Sequence, residues 1–129
     1  IKIGLADPFG SALHNFYKNG NLKATGDSIT EGIGQGRITK NLENLFLDES
    51  FQISDKDALN IVFDLIKSEG LILGGSSGIN IMGAIKLAKK LGPRKNIVTI
   101  LCDYGTRYKS KIFNKKYLKQ KNLPIPDWF

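Results

Sequence analysis

Between Glu69 and Gly92 the chain reads EGLILGGSSGINIMGAIKLAKKLG, and no other stretch restricts the fold as strongly. A short apolar run, Leu71 to Leu73, meets the small-residue turn Gly74, Gly75, Ser76, Ser77, Gly78. A helical pattern then runs to the stop signal Gly92-Pro93. Met82, Ile85, Ala88 and Leu91 recur at about helical spacing, with Asn80, Lys86, Lys89 and Lys90 between them. Lys89 and Lys90 fall in the last turn, where cations complement the helix dipole. The order is strand, glycine turn, helix.

A turn of this kind admits two readings. Its bare backbone and the N–H groups of a helix start suit a ligand that is anionic or ring-shaped. Equally, the glycines permit a tight strand-to-helix connection that the serines cap. Gly74 to Gly78 also satisfies G-x-S-x-G, the nucleophile elbow of hydrolases. That motif needs a later acid and then a histidine, and the one histidine, His14, lies far upstream. No Gly-Lys-Ser/Thr follows the glycines, which excludes a Walker A loop.

With 41% hydrophobic and 24% charged residues, the 129-residue chain has the balance of a single globular domain. No apolar run reaches membrane-spanning length and no signal peptide is recognisable, so the expectation is a cytoplasmic protein with no membrane partner. One cysteine, Cys102, cannot form an internal disulfide. The chain opens on Ile1 inside an apparent strand, which suggests the C-terminal part of something larger. The charge of +7 is uneven, with Arg107, Lys109, Lys111, Lys115, Lys116, Lys119 and Lys121 crowded together without an acid among them. A solvated face is the expectation for this cluster, and no nucleic-acid partner, because no aromatic platform accompanies it. His14 has no Cys, Asp or Glu at metal spacing, so it reads as an ordinary surface histidine and no metal site is expected.

Taken in order, Ile1 to Ala6 reads as a buried strand that Asp7-Pro8 ends. Gly10 to Asp27 is polar loop with a short helical piece around Leu13 to Tyr17. Gly32, Gly34 and Gly36 resemble a dinucleotide fingerprint but place Arg37 where its third glycine belongs, so they form either a surface loop or a ligand-facing segment. Phe51 to Ile53 is strand-like, and Ser54 caps a helix with Asp55 and Asp57 in its first turn. Leu59, Val62, Phe63 and Ile66 make its apolar face, and Gly70 stops it. Asn96 to Cys102 carries the run IVTILC, a second buried strand with Asp103, Tyr104 and Gly105 as its exit turn. Strands alternating with helices indicate an α/β fold with a parallel sheet. In such sheets ligands sit at the carboxyl ends of strands, where Gly74 to Gly78 and Cys102 to Gly105 both lie. Trp128 and Phe129 close an extended tail that docks on the body or on a partner subunit.

Three segments, EGIGQGRITKNLE (31–43), EGLILGGSSGINIMGAIKLAKK (69–90) and IVTILCDYGTRYKSKIFN (97–114), together resemble the pyridoxal-phosphate enzymes of the cysteine synthase and cystathionine β-synthase group. Their order and separations match as well, and the likeness covers nearly the whole chain. The resemblance implies the three-layer, parallel-sheet α/β domain of the fold-type II (tryptophan synthase β-like) family, here its C-terminal portion. Residues 1–106 would form part of the α/β core and 107–129 a basic helix and tail. It implies pyridoxal 5'-phosphate as cofactor and a small amino-acid substrate. The reaction the resemblance implies is β-replacement, in which O-acetylserine loses acetate and sulfide adds to give cysteine. Ser76 is the hydroxyl expected to meet the pyridine nitrogen, beside Gly75. A neutral partner there leaves that nitrogen unprotonated and the electron sink moderate.

By the same resemblance Cys102 and Asp103 lie at the strand end near the ring nitrogen, while Gly32, Ile33 and Gly34 line the substrate pocket. Many members carry Pro where Cys102 stands, and its thiol is expected to be packed rather than nucleophilic. The Schiff-base lysine and the phosphate loop match nothing in this chain, so catalytic residues are expected upstream and the chain alone is expected to be inactive. The family further suggests a homodimer that binds serine acetyltransferase. The alternatives are a cystathionine β-synthase-type or other β-replacing enzyme, and a non-catalytic basic binding module.

Overall fold

Ser54 and Gly70 bracket the best-defined helix of the chain, α2 (Asp55–Glu69), in a computed structural model that describes residues 1–129. The Asp57 N–H donates to Ser54 Oγ at 3.1 Å, and Gly70 takes the left-handed φ of 68° that a helix-ending residue needs. The apolar face read from the spacing is the buried one. Leu59, Val62 and Phe63 are buried and form a core cluster with Ile112 and Leu118, against which Ile66 also packs. Burying side chains of this size contributes about 1.5–3 kcal/mol each.

The glycine turn opens α3 (Gly75–Leu91), which packs against α2 and against the sheet. Its buried face differs from the expected stripe of Met82, Ile85, Ala88 and Leu91. The buried residues are Gly75, Ser76, Ser77, Gly78, Ile79 and Gly83. A Cβ on Gly78 would lie 2.3 Å from the Ala58 carbonyl oxygen, and one on Gly83 would lie 2.4 Å from the Ala6 Cβ. Backbone-to-backbone approach therefore selects this face, and hydropathy does not register it.

The sheet is parallel, as expected, with two strands. β1 (Gly4–Pro8) pairs with β2 (Glu49–Ile53) in the register Gly4 to Glu49 through Pro8 to Ile53. β1 thus begins later than expected, and Asp7-Pro8 lies inside it. Between the strands run α1 (Leu13–Asn19) and a loop with one 3-10 turn at Lys40–Leu42.

Two expected strands are not paired strands. Leu71 to Leu73 contributes only an isolated antiparallel bridge, Leu73 to Tyr104. Asn96 to Cys102 belongs to no strand, and Val98 is 89% exposed. A ladder needs a neighbour on which to close its hydrogen bonds, and no segment of this chain supplies one. Beyond a 3-10 turn at Gly105–Tyr108 and the short helix α4 (Lys115–Gln120), the basic segment returns over α2. There Phe63 meets Trp128 edge-on and stacks on Phe129, both with centroids 6.2 Å away, so the tail docks on the body. No helix is long and apolar enough to cross a membrane.

Candidate functional site

The first turn of α3 is a run of four buried small residues, Gly75, Ser76, Ser77 and Gly78. Gly74 occupies the N-cap position without a capping side chain, so the serines do not cap the helix. The Ser77 hydroxyl, fully buried, instead accepts a hydrogen bond from the Cys102 N–H at 2.9 Å. Ser76 is 5% exposed, and its hydroxyl takes part in none of the side-chain hydrogen bonds of the turn. A Cβ on Gly75 would lie 2.7 Å from Thr30 Cγ2, so the loop after Ser28 packs on the start of α3.

Backbone bonds from Gly74 N–H to the Asp103 carbonyl and from Gly105 N–H to the Ile72 carbonyl, both 2.9 Å, clamp residues 72–74 to 103–105. This clamp brings Asp103 beside the turn. The Tyr108 hydroxyl donates to Asp103 Oδ2 at 2.7 Å, while Asp103 Oδ1 is buried with no partner. Ionising Tyr108 would forfeit that bond and set a phenolate against a carboxylate, so its pKa is pushed up to about 12. Tyr108 therefore acts as a donor at any ordinary pH. It had no sequence signal beyond lying five positions after Asp103, across a turn whose geometry only the fold supplies.

The segment Gly32, Ile33, Gly34 is suspended between two anchors. On one side Asp55, at the start of α2, accepts from the Ser28 hydroxyl and from the Ile29 N–H, the latter at 2.8 Å. On the other side Ser11 Oγ accepts from the Gln35 N–H at 3.0 Å. Gly34 has φ 90°, and a Cβ there would crowd Pro8 and Ser11, so the position favours glycine. Ile33 packs on the cluster of Ile53, Ala58 and Ile79. Glu31, just before the glycines, pairs with Lys111, which raises the Lys111 pKa through the hydrogen bond. The fold therefore brings the loop, the turn and Asp103 to one end of the structure.

Two expectations need correction. Cys102 is exposed rather than packed, because the segment before it lacks a strand neighbour, and its Sγ lies 3.5 Å from Asn80 Nδ2. His14 is a buried residue and not a surface one, since α1 tucks its first turn under the end of β1. Its Nδ1 lies 2.6 Å from Ser50 Oγ, and its backbone N–H donates to Asp7 Oδ2 at 2.8 Å. Asp7 is buried too, and desolvation raises its pKa despite hydrogen bonds from Ser11 and His14. Desolvation lowers that of His14.

A model of the pyridoxal-phosphate dependent enzyme family matches residues 2–103. Cysteine synthase 1 of Neurospora crassa is 46% identical over 127 residues, which cover 95% of this chain and 34% of that protein. Cystathionine beta-synthase of Apis mellifera is 33% identical over 126 residues, covering 98% of this chain and 25% of the relative. Among solved structures, the O-acetylserine dependent cystathionine beta-synthase from Helicobacter pylori superposes with a TM-score of 0.74 at 35% identity, over 86% of this chain and 34% of its own. The chain thus spans about a third of the length of the cysteine synthase it matches. With a family match over most of its residues and the α/β, parallel-sheet fold of a solved relative, this chain belongs to the pyridoxal-phosphate dependent enzyme family.

Proposed function

We propose that this chain forms the ring-nitrogen side of the cofactor site in a complete cysteine synthase, which joins sulfide to the β carbon of O-acetylserine and releases acetate. The observation that carries this reading is Ser76, a residue 5% exposed at the start of α3 whose hydroxyl is left out of the hydrogen bonds around it. The residues present fit one side of pyridoxal phosphate, since a heteroaromatic nitrogen is an acceptor and an uncommitted hydroxyl is its natural donor. When bound, the cofactor supplies the electron sink that weakens bonds next to the amino group.

What the chain's own residues contribute follows from their placement. Ser76 donates to the ring nitrogen and orients the ring. The positive end of the α3 dipole disfavours a proton on that nitrogen, which keeps the sink moderate. Gly75 keeps the approach low, and Thr30 packs against it. Cys102 acts through its backbone N–H, which holds Ser77, and Asp103 closes the same end with Tyr108. Gly32, Ile33 and Gly34 face the substrate. The lysine that holds the cofactor, and its phosphate loop, come from the part of the protein that this chain does not span. The chain by itself is then inactive.

The test is a chimera in which this chain replaces the matching third of the Neurospora crassa cysteine synthase 1. We expect it to form cysteine from O-acetylserine and sulfide. In it, Ser76→Ala lowers kcat about tenfold, the equivalent of about 1.4 kcal/mol for a lost hydrogen bond, and leaves cofactor content near normal. Unchanged turnover in Ser76→Ala sinks the assignment.

A second reading, transfer to a thiol amino acid to give a cystathionine-type product, draws support from the two cystathionine beta-synthases among the matches. Competition between sulfide and homocysteine in the same chimera separates the two. We read the complete protein as a cytoplasmic homodimer that engages serine acetyltransferase, a reading supported by family resemblance.

A further inference from the structure

We infer that Ser11 is a positioning residue for the glycine loop. Its hydroxyl pins the backbone of Gln35 and so fixes Gly32 to Gly34 where an amino-acid substrate meets them. The inference rests on the reading, proposed above, that this loop faces the substrate.

Ser11 stands in the turn between β1 and α1 and is 3% exposed. Its Oγ accepts from the Gln35 N–H at 3.0 Å. Its own proton lies within reach of two acceptors, the Gln35 carbonyl at 3.1 Å and the buried Asp7 carboxylate. The neighbouring Ala12 N–H donates to the same Gln35 carbonyl at 2.9 Å. Two consecutive residues of the turn therefore hold both backbone polar groups of one loop residue. The turn is itself tied down. Asp7 belongs to β1, which is paired with β2, and its Oδ2 accepts the His14 N–H at 2.8 Å in the first turn of α1. The pin is thus anchored in the sheet and a helix.

The loop has little else to fix its path. From Glu31 to Ile38 the bond between Gln35 and Ala12 is the one backbone–backbone hydrogen bond, and the anchor at Asp55 grips only Ser28 and Ile29. Gly32 and Gly34 have φ of 75° and 90°, and a Cβ on Gly32 or Gly36 would meet nothing within 4 Å. Glycines at three positions of five leave the backbone several paths, so the path taken is set by what holds it. Gly34 lies directly on the turn, where a Cβ would come 3.0 Å from Pro8 Cγ and 3.1 Å from Ser11 Cβ. Gln35 is exposed, so water replaces the hydroxyl when Ser11 loses it. Removing the pin therefore spares the fold and releases the direction of the loop.

The test is Ser11→Ala in the isolated chain and in the chimera with the Neurospora crassa remainder. In the isolated variant, amide exchange at Gln35 should speed about tenfold, while Ile29, held by Asp55, keeps its rate and the circular dichroism is unchanged. In the chimera, KM for O-acetylserine should rise about fivefold, as one lost hydrogen bond does, with kcat within about twofold. Ser76→Ala lowers kcat instead, which separates the two roles. Gly34→Ala crowds Pro8 and Ser11 and displaces the same loop. Added to Gly34→Ala, Ser11→Ala should therefore change KM by less than about twofold. A full fivefold rise on top of Gly34→Ala shows that Ser11 does not act through the loop and overturns the inference. An unchanged KM in Ser11→Ala beside a lowered kcat in Ser76→Ala overturns it too and leaves the reaction standing. A chimera that makes no cysteine counts against the reaction. Exchange at Gln35 then decides the pin alone, and an unaltered rate overturns it.

Discussion

At the residue scale, the Asp7, His14 and Ser50 group decides how the fold responds to acid. Burial lowers the His14 pKa below 6.5, so the unfolded state binds a proton that the folded state resists. That stability is complete above pH 6.5 and is lost as pH falls through the lowered value. Asp7 works in the opposite sense. Its raised pKa contributes stability that is full below pH 3.8 and is lost as pH rises through the raised value. We expect the thermal midpoint of the chain to fall as pH drops below 6.5, and His14→Gln to flatten that slope. An identical profile in the variant would remove His14 as the cause. Neither burial was legible in the sequence, where His14 stands in a polar stretch without periodicity. A residue's solvation depends on what folds over it, and here that is the register of β1 on β2 and the seat of α1 beneath them.

At the element scale, α2 shows how much local rules determine and α3 shows where they stop. The start, stop and buried face of α2 followed from Ser54, Gly70 and the spacing of Leu59, Val62, Phe63 and Ile66, because caps and amphipathic stripes are properties of neighbouring residues. α3 obeyed its stop signal at Gly92 and misled on its buried face. Its tightest contacts are made by residues with no side chain, and an apolar count gives those no weight. Gly78→Ala drives a methyl into the Ala58 carbonyl oxygen, and Gly83→Ala into the Ala6 Cβ. Each should cost about 1–3 kcal/mol in urea unfolding, as overpacking does, despite the helix propensity gained. Gly36→Ala, where a Cβ meets nothing within 4 Å, should stay within about 0.5 kcal/mol. Equal stabilities for Gly78→Ala and Gly36→Ala would show that α2 and α3 are not in the close contact described.

At the scale of the whole molecule, the basic segment after residue 106 is held to the body by apolar contacts. Phe63 on α2 touches Phe113, Trp128 and Phe129, and Ile112 and Leu118 join the same core. Two lysines of the segment turn inward: Lys115 Nζ lies 5.5 Å over the Phe129 ring, and Lys111 reaches back to pair with Glu31 at the root of the glycine loop. Phe63→Ala should cost about 3 kcal/mol or more and release the tail, with the emission of Trp128, the single tryptophan, shifting to the red. An unshifted spectrum with the stability loss would mean the tail has other anchors.

By itself the sequence determined the features whose physics is local or recorded in motif spacing: the capped α2, the glycine turn before α3, the α/β class and the family. The tertiary structure decided which apolar runs become strands. Leu71 to Leu73, Asn96 to Cys102 and Phe51 to Ile53 all read as strands, and only the last finds a paired edge, within β2 (Glu49–Ile53) against Gly4 to Pro8. Strand propensity lies in the run itself, whereas the hydrogen bonds that make a strand belong equally to its neighbour.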